Sequence, residues 1–110
     1  SPSCQSVDLC VILSNLLDNA IEASEKIAEP KIEIILSQKK SYYTIIVKNK
    51  IDTSVLESNS ELKTTKSDSE CHGIGVQSIK EIVHRYDGMM DFYEQDMWFI
   101  ASIWLPQITE

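Results

Sequence analysis

The spacing of apolar residues in the first quarter of the chain predicts a long amphipathic helix, from about Val7 to Ala28. No Gly or Pro interrupts this stretch. Its apolar residues share one broad face: Leu9, Leu13, Leu16, Leu17, Ala20 and Ile27. Ser6 is the candidate N-cap, and the helix is expected to end just before Pro30, because proline disfavours helical geometry in the residue that precedes it.

A narrow polar stripe runs along the opposite side of this helix and consists of Asp8, Asn15, Asn19 and Glu22. Asparagine is a poor helix former, because its side chain competes for backbone hydrogen bonds. The helix alone leaves two interpretations open. The stripe is either a solvated face that happens to carry Asn, or a row of amide oxygens that holds a hard cation, which prefers oxygen ligands.

Two stretches with β-strand pattern follow, Lys31–Leu36 and Tyr42–Val47. They are rich in β-branched and aromatic residues and flank a polar turn at 37–40, which predicts a half-buried antiparallel hairpin. Met89–Tyr93 and Trp98–Leu105 predict a second hairpin near the end of the chain.

A long polar segment and a second amphipathic helix lie between the two hairpins. The segment Ile51–His72 is rich in Ser, Thr, Asp, Glu and Lys, which is typical of a lid or binding loop, although a tolerated surface insertion fits as well. The second helix is predicted to open at Gly73–Val76, and Gly88 is placed to cap its C-terminus. This order of elements predicts an α+β two-layer sandwich, with helices on one face of a mixed, mostly antiparallel sheet.

Composition fits one soluble domain: the chain has 110 residues, a net charge of −7 and no apolar run of membrane-spanning length. The negative charge argues against a general nucleic-acid or acidic-membrane surface, but not against a phosphate bound locally by backbone N–H groups. The chain has an odd number of cysteines: Cys4, Cys10 and Cys71. They form no CxxC pair, which indicates free thiols in a reducing compartment. A zinc site that combines them with His72 fits no known ligand spacing.

Gly73 and Gly75 are two of the three glycines in the chain, and they directly follow the polar segment. Glycine lets the backbone approach a ligand closely, and the free N–H groups of a first helical turn attract anions. Thr64, Thr65 and Lys66 add hydroxyls and one cation just upstream. Alone, the glycine pair is equally compatible with a helix start that binds nothing, but beside an Asn-x-x-x-Asn helix it is more specific.

This combination resembles the catalytic ATP-binding domain of sensor histidine kinases, in the superfamily that includes gyrase, the ninety-kilodalton heat-shock chaperone and MutL. Asn15–Ala23 looks like the N-box, and His72–Val76 with the preceding 64–66 looks like the second glycine box with the end of the ATP lid. Tyr86–Gly88 and the closing strand, which ends at Pro106, match the family's tail. Within the family, the run Leu-Asp-Asn-Ala-Ile-Glu-Ala is typical of peptide-pheromone quorum-sensing kinases of the accessory-gene-regulator type.

The resemblance implies ATP and Mg²⁺ as ligands. Asn19 would be the Mg²⁺ ligand and Asn15 would face the triphosphate as a catalytic residue. The remaining nucleotide contacts implied by the second glycine box and the lid are Thr65, Lys66, His72, Gly73, Ile74, Gly75 and Val76.

One expected motif is missing. The superfamily's first glycine box, Asp-x-Gly-x-Gly, should follow the second strand, but Lys48-Asn49-Lys50 stands there without any glycine. The resemblance implies that Asn49 takes the place of the aspartate that accepts a hydrogen bond from the adenine amino group. An amide oxygen can still accept that bond, but without the charge. The quorum-sensing group lacks the box as well.

Asn15 separates a kinase from a hydrolase, because the superfamily's ATPases commonly place there a Glu that activates water. An amide cannot take a proton. Glu22 is the nearby carboxylate and the second catalytic candidate: it either substitutes for the missing base or, as we expect, contacts the phosphates or a magnesium-bound water. Phosphoryl transfer depends mainly on positioning and charge neutralisation, so a site without that base still suits a kinase.

The resemblance implies a cytoplasmic catalytic domain of a membrane-bound sensor, which phosphorylates a histidine on a separate dimerisation domain and thereby serves a response regulator. Neither His72 nor His84 suits the acceptor, since one lies in the lid and the other late in the second helix. Two alternatives stay open: a serine kinase of the anti-sigma-factor type, and a degenerate interaction module that binds no nucleotide.

Overall fold

The computed structural model describes residues 2–39, 41–54 and 71–106. Two helices and four strands follow one another in the predicted order: α1 (Pro2–Ser24), β1 (Ile32–Gln38), β2 (Tyr42–Lys50), α2 (Cys71–Arg85), β3 (Met89–Gln95) and β4 (Trp98–Pro106). Both helices pack on one face of the sheet, so the predicted two-layer α+β architecture is confirmed. The part of the predicted lid at 55–70 lies outside the described residues.

The four strands form one sheet in the order β1-β2-β4-β3, and all three pairings are antiparallel. Both predicted hairpins are confirmed, and β2 and β4 form the centre of the sheet. The expectation that the first hairpin is half buried holds for β2 only, because β1 is an edge strand and all its residues after Ile32 are exposed. Of the first two strands, β2 makes most of the contacts with the described helices, and β1 makes few.

The core lies between the helices and the central strands. Of the predicted apolar face of α1, Leu16 and Ala20 are buried, and Leu9, Leu13 and Leu17 pack around them. The sequence reading missed Ile12, which is fully buried and begins the row 12, 16, 20 along the axis of the helix. The opposing side chains come from α2, β2 and β4: Ile79, Ile82, Val83, Ile45, Val47, Ala101, Ile103 and Leu105.

The ends of α1 differ from the prediction. The helix begins at Pro2, so Ser6 lies inside it and is not its N-cap. Proline suits a first helical position, since it has no N–H that would need a partner there. The helix ends at Ser24 rather than near Ala28, because the backbone N–H groups of the next residues bond three residues back, which tightens the chain into a turn.

The C-terminus of α2 closes with a Schellman motif. Gly88 N–H donates to the carbonyl of Val83 at 2.8 Å, and Asp87 N–H donates to that of His84 at 3.1 Å. The left-handed residue of this motif is Asp87, with φ 59°, and not the predicted Gly88. Glycine is needed at position 88 for another reason: a Cβ there would lie 2.4 Å from the carbonyl oxygen of Trp104.

A polar contact joins the two helices at the start of α1. Tyr86 donates its hydroxyl proton to the carboxylate of Asp8, and Arg85 Nη1 lies 3.2 Å from the same Oδ2 atom. Asp8 is one of the four residues of the predicted polar stripe. The first residue of that stripe therefore fixes α2 against α1.

We expect opposite stability effects at the two adjacent turn positions. Asp87→Gly should raise the free energy of unfolding by up to about 1 kcal/mol, because glycine adopts positive φ without strain. Gly88→Ala should lower it by about 1–3 kcal/mol, because the new methyl group meets a backbone carbonyl that cannot rotate away. Urea denaturation of both variants beside the wild type measures the two values. Equal effects of the two substitutions would contradict this account of the turn.

Candidate functional site

A cavity of about 280 Å³ opens between the C-terminal half of α1 and the sheet. Its walls come from α1 and the turn after it, from the end of β2 and the segment that follows, and from β3 and β4: Leu16, Asn19, Ala20, Glu22, Ala23, Lys26, Ile27, Val47, Asn49, Ile51, Asp52, Thr53, Ser54, Phe92, Phe99 and Ala101. Mostly apolar walls with a few polar groups are typical of a small-molecule site.

The sheet side of this cavity is apolar and partly aromatic. Phe92 and Phe99 lie on paired strands and stack with ring centroids 5.8 Å apart. Val47 and Ala101, which face each other across β2 and β4, continue this wall. Such a surface favours a flat apolar ligand group.

Asn49 is the buried polar residue in this wall, with only 3% of its surface exposed. Its side-chain Nδ2 donates to the backbone carbonyl of Lys50 at 3.3 Å. This bond uses the donor end of the amide, so the oxygen is the end that offers an acceptor to a ligand. The structure thus brings Asn49, predicted to be an adenine contact, to the same cavity as Asn19 and Glu22 of α1.

Asn15 lies one turn before Asn19 on α1 and meets the second predicted motif. A Cβ built on Gly75 would lie 3.4 Å from Asn15 Oδ1 and 3.7 Å from its Cγ. The Asn-x-x-x-Asn helix and the glycine pair, far apart in the sequence, are therefore neighbours in the fold.

The glycine pair lies inside α2, which begins two residues before its predicted start at Gly73. Because α2 begins at Cys71, Gly73 belongs to its first turn, where backbone N–H groups lack helical partners, and Gly75 comes after that turn. Neither needs a left-handed conformation, as no glycine of the described residues has positive φ. The side chain of Val76 is buried in the core, so only its backbone is available to a ligand.

The other predicted contacts are only partly placed. The backbone of His72 and Ile74 belongs to the first turn of α2. Thr65 and Lys66 lie outside the described residues. Their proposed contacts with a nucleotide remain predictions.

The sequence reading missed several cavity residues. The sequence predicts Lys26 inside the helix, but α1 ends at Ser24, and Lys26 lines the cavity from the turn that follows. Phe92 and Phe99 are predicted strand residues, but their role as a wall depends on the pairing of β3 with β4. No signal in the sequence reports that pairing directly.

The described residues contain no group of three or more His, Cys, Asp or Glu side chains that could hold a metal ion. The side-chain oxygens at the cavity include the amides of Asn19 and Asn49 and the carboxylates of Glu22 and Asp52. Hard oxygen donors in small number suit Mg²⁺, which usually takes its other ligands from phosphates and water.

A family model described as GHKL domain matches residues 4–106, nearly the whole chain. The chain belongs to the GHKL domain family. GHKL domains bind ATP, and the family assignment therefore agrees with a nucleotide in the cavity described above. No curated protein shows significant sequence similarity to the chain.

Solved histidine kinase domains share the fold of this GHKL domain. The catalytic domain of histidine kinase ThkA has 21% identity and a TM-score of 0.72, over 91% of this chain and 66% of that one. The histidine kinase domain of a blue-light activated kinase from Erythrobacter litoralis has 14% identity and a TM-score of 0.71, over 90% and 46%. AdeS of Acinetobacter baumannii has 19% identity and a TM-score of 0.67, over 90% and 45%.

These likenesses concern the fold, since the identities are low. The GHKL domain spans just under two thirds of the ThkA catalytic domain and less than half of the other two chains. As far as the described residues go, neither helix has the length and apolar character that a membrane crossing requires.

We expect Gly75→Ala to separate stability from ligand binding. Alanine favours a helix interior over glycine, and the new Cβ meets Asn15 only at ordinary contact distance, so unfolding free energy should rise by up to about 1 kcal/mol. If a ligand approaches this backbone, the same methyl group should weaken its binding. Thermal melts and titration with ADP·Mg²⁺ measure both effects. Unchanged affinity would mean that the ligand does not reach Gly75.

Proposed function

We propose that this GHKL domain is the ATP- and Mg²⁺-binding catalytic domain of a sensor histidine kinase. The observation that carries the proposal is the meeting of three separate motifs: Asn19 and Asn49 line one cavity, and the side chain of Asn15, one turn from Asn19, lies beside Gly75. A solvated asparagine face explains none of these contacts.

The adenine ring fits the apolar end of the cavity. Asn49 accepts a hydrogen bond from the adenine amino group, since its own amide nitrogen is held by the carbonyl of Lys50. Phe92, Phe99 and Ile51 supply apolar surface around the ring. A neutral acceptor gives a weaker hydrogen bond than a carboxylate, so affinities for ATP and ADP in the micromolar to millimolar range are expected.

The triphosphate extends from the base toward the contact between Asn15 and Gly75. When Mg²⁺ is bound, Asn19 would hold it through its amide oxygen, and Glu22 would lie on the phosphate side of the site. The metal supplies neutralisation of phosphate charge. Thr65, Lys66 and the start of α2 at His72–Val76 would complete the phosphate contacts. The role of a lid stays a prediction for residues 55–70, which lie outside the described residues.

The reaction is transfer of the γ-phosphoryl group to a histidine nitrogen on a separate dimerisation domain. The nitrogen forms a bond to γ-phosphorus, the bond to the β–γ bridging oxygen breaks, and ADP leaves. Asn15 orients the triphosphate but takes no proton, which favours transfer over hydrolysis. His84 is exposed on the last turn of α2, where a cation suits the helix dipole, and is not the acceptor.

The larger protein is a cytoplasmic-facing, membrane-bound sensor of the quorum-sensing type that passes its phosphoryl group to a response regulator. The single domain 1–110 contributes the nucleotide site alone. The observation in favour of a second candidate, a degenerate module without nucleotide, is the loss of the charged aspartate at Asn49. Calorimetric titration with ATP and Mg²⁺ decides between them, because the degenerate module would give no binding heat at millimolar ATP.

Asn19→Ala should remove the metal dependence of nucleotide binding and leave the fold intact. Asn19 is only half buried and borders the cavity, so its truncation opens no hole in the core, and alanine is the better helix former. We expect an unchanged or slightly higher melting temperature without ligand, and a loss of at least about tenfold in affinity for ATP·Mg²⁺. ATP with EDTA is the control. A variant that melts early yet binds ATP·Mg²⁺ normally would make Asn19 structural.

Asn49→Ala should weaken recognition of the base but not of the phosphates. Loss of one buried hydrogen bond is expected to lower ADP affinity by about tenfold. Affinity for tripolyphosphate with Mg²⁺, which has no base, should stay at the wild-type value and serves as the internal control. Equal losses for both ligands would show that Asn49 supports the whole cavity rather than the adenine.

A further inference from the structure

The segment Ile51–Ser54 forms one wall of the cavity but belongs to no strand. It leaves β2 immediately after Lys50 and has no ladder of sheet hydrogen bonds to fix it. Its position must therefore come from individual contacts. The structure shows a contact with the hairpin formed by β3 and β4 at each of its two ends.

At its first residue, the N–H of Ile51 donates to the carbonyl oxygen of Met97 at 3.0 Å. Met97 is the second of two turn residues with positive φ, at 66° after Asp96 at 55°. Just before Ile51, the ammonium group of Lys50 lies 5.5 Å from the ring centroid of Trp98, at the start of β4. The tip of the hairpin thus holds the point where the wall begins.

At its last residue, Ser54 Oγ donates to Glu94 Oε1 at 2.9 Å, across forty positions of sequence. A hydrogen bond to a carboxylate is stronger than one between neutral groups. Glu94 lies on the same face of β3 as Phe92, which lines the cavity, while the next residue, Gln95, faces the other side of the sheet. Glu94 does not line the cavity itself, so it acts through Ser54.

We propose that Glu94 is a positioning residue for nucleotide binding, which together with the carbonyl of Met97 holds the wall Ile51–Ser54 against the nucleotide. This inference rests on the proposed nucleotide site and adds a residue with no place in the motifs found from the sequence. The tip of the β3–β4 hairpin is then part of the binding machinery, although Glu94 itself does not line the cavity.

The test is titration of ADP·Mg²⁺ into five variants of the whole chain. Glu94→Ala and Ser54→Ala should each weaken binding on the order of three- to tenfold. The double variant should be no weaker than Glu94→Ala, because one shared bond is lost. Glu94→Gln should restore most of the affinity, since its amide oxygen accepts the same bond. Gln95→Ala, on the opposite face of the same strand, is the matched control and should bind as the wild type does.

Hydrogen exchange of the free protein gives a second readout. In Glu94→Ala, exchange should rise at the amide of Ile51, which donates to the carbonyl of Met97, and stay unchanged in α1 around Ile12. Wild-type affinity in both Glu94→Ala and Ser54→Ala would overturn the inference while leaving the nucleotide site intact. Absence of ADP binding by the wild type would overturn both the proposed function and this role. Additive losses in the double variant would also contradict a shared bond.

Discussion

The burial of one row of α1 fixes everything else about the site. Ile12, Leu16 and Ala20 must face the sheet, and this sets the rotation of the helix about its axis. Successive residues of an α-helix are rotated by about 100° about its axis. The packing of the buried row therefore also fixes the directions of two other side chains: Asn15 lies beside Gly75, and Asn19 borders the cavity. The core and the amide stripe are two consequences of the same packing constraint.

Parts of the fold with a strong periodic pattern could be predicted from the sequence. The strands β1 and β2 have dense β-branched content around a polar turn, and their pairing requires only a short connection. The stripe of α1 could be recognised because asparagine is costly in a helix and needs a reason. The meeting of Asn15 with Gly75 could be expected only through the resemblance to a family, since helical spacing says nothing about which helix lies beside which.

The misses have local physical causes. Tertiary burial of Ser24 and a tight turn decided where α1 ends, and helix propensity could not reveal this. Glycine is the usual residue in the left-handed conformation at the end of a helix, which is why Gly88 is the predicted cap. The left-handed residue is instead Asp87. Position 88 needs glycine because the backbone of Trp104 passes close to it. The exposure of β1 follows from its edge position, which depends on strand order and not on local sequence.

A neutral amide at each key position gives this site its chemical character. Asn15, Asn19 and Asn49 offer oxygen acceptors without formal charge. In the proposed complex, these three residues would therefore not neutralise the negative charge of the phosphates, and the metal would. Such a site can orient a triphosphate but offers no strong base to activate water at Asn15. The charged side chains of the cavity, Glu22, Lys26 and Asp52, come from the last part of α1, the turn after it and the segment after β2.

The most direct test of this account is a two-dimensional NMR spectrum of the chain with ADP and Mn²⁺, a paramagnetic substitute for Mg²⁺. We predict that line broadening is strongest at the side-chain amides of Asn15 and Asn19 and at the backbone amide of Gly75. The indole N–H of Trp104, on the opposite face of the sheet, should remain sharp. Broadening that spares both asparagines, or that is the same with Mn²⁺ in the absence of ADP, would contradict a shared nucleotide and metal site.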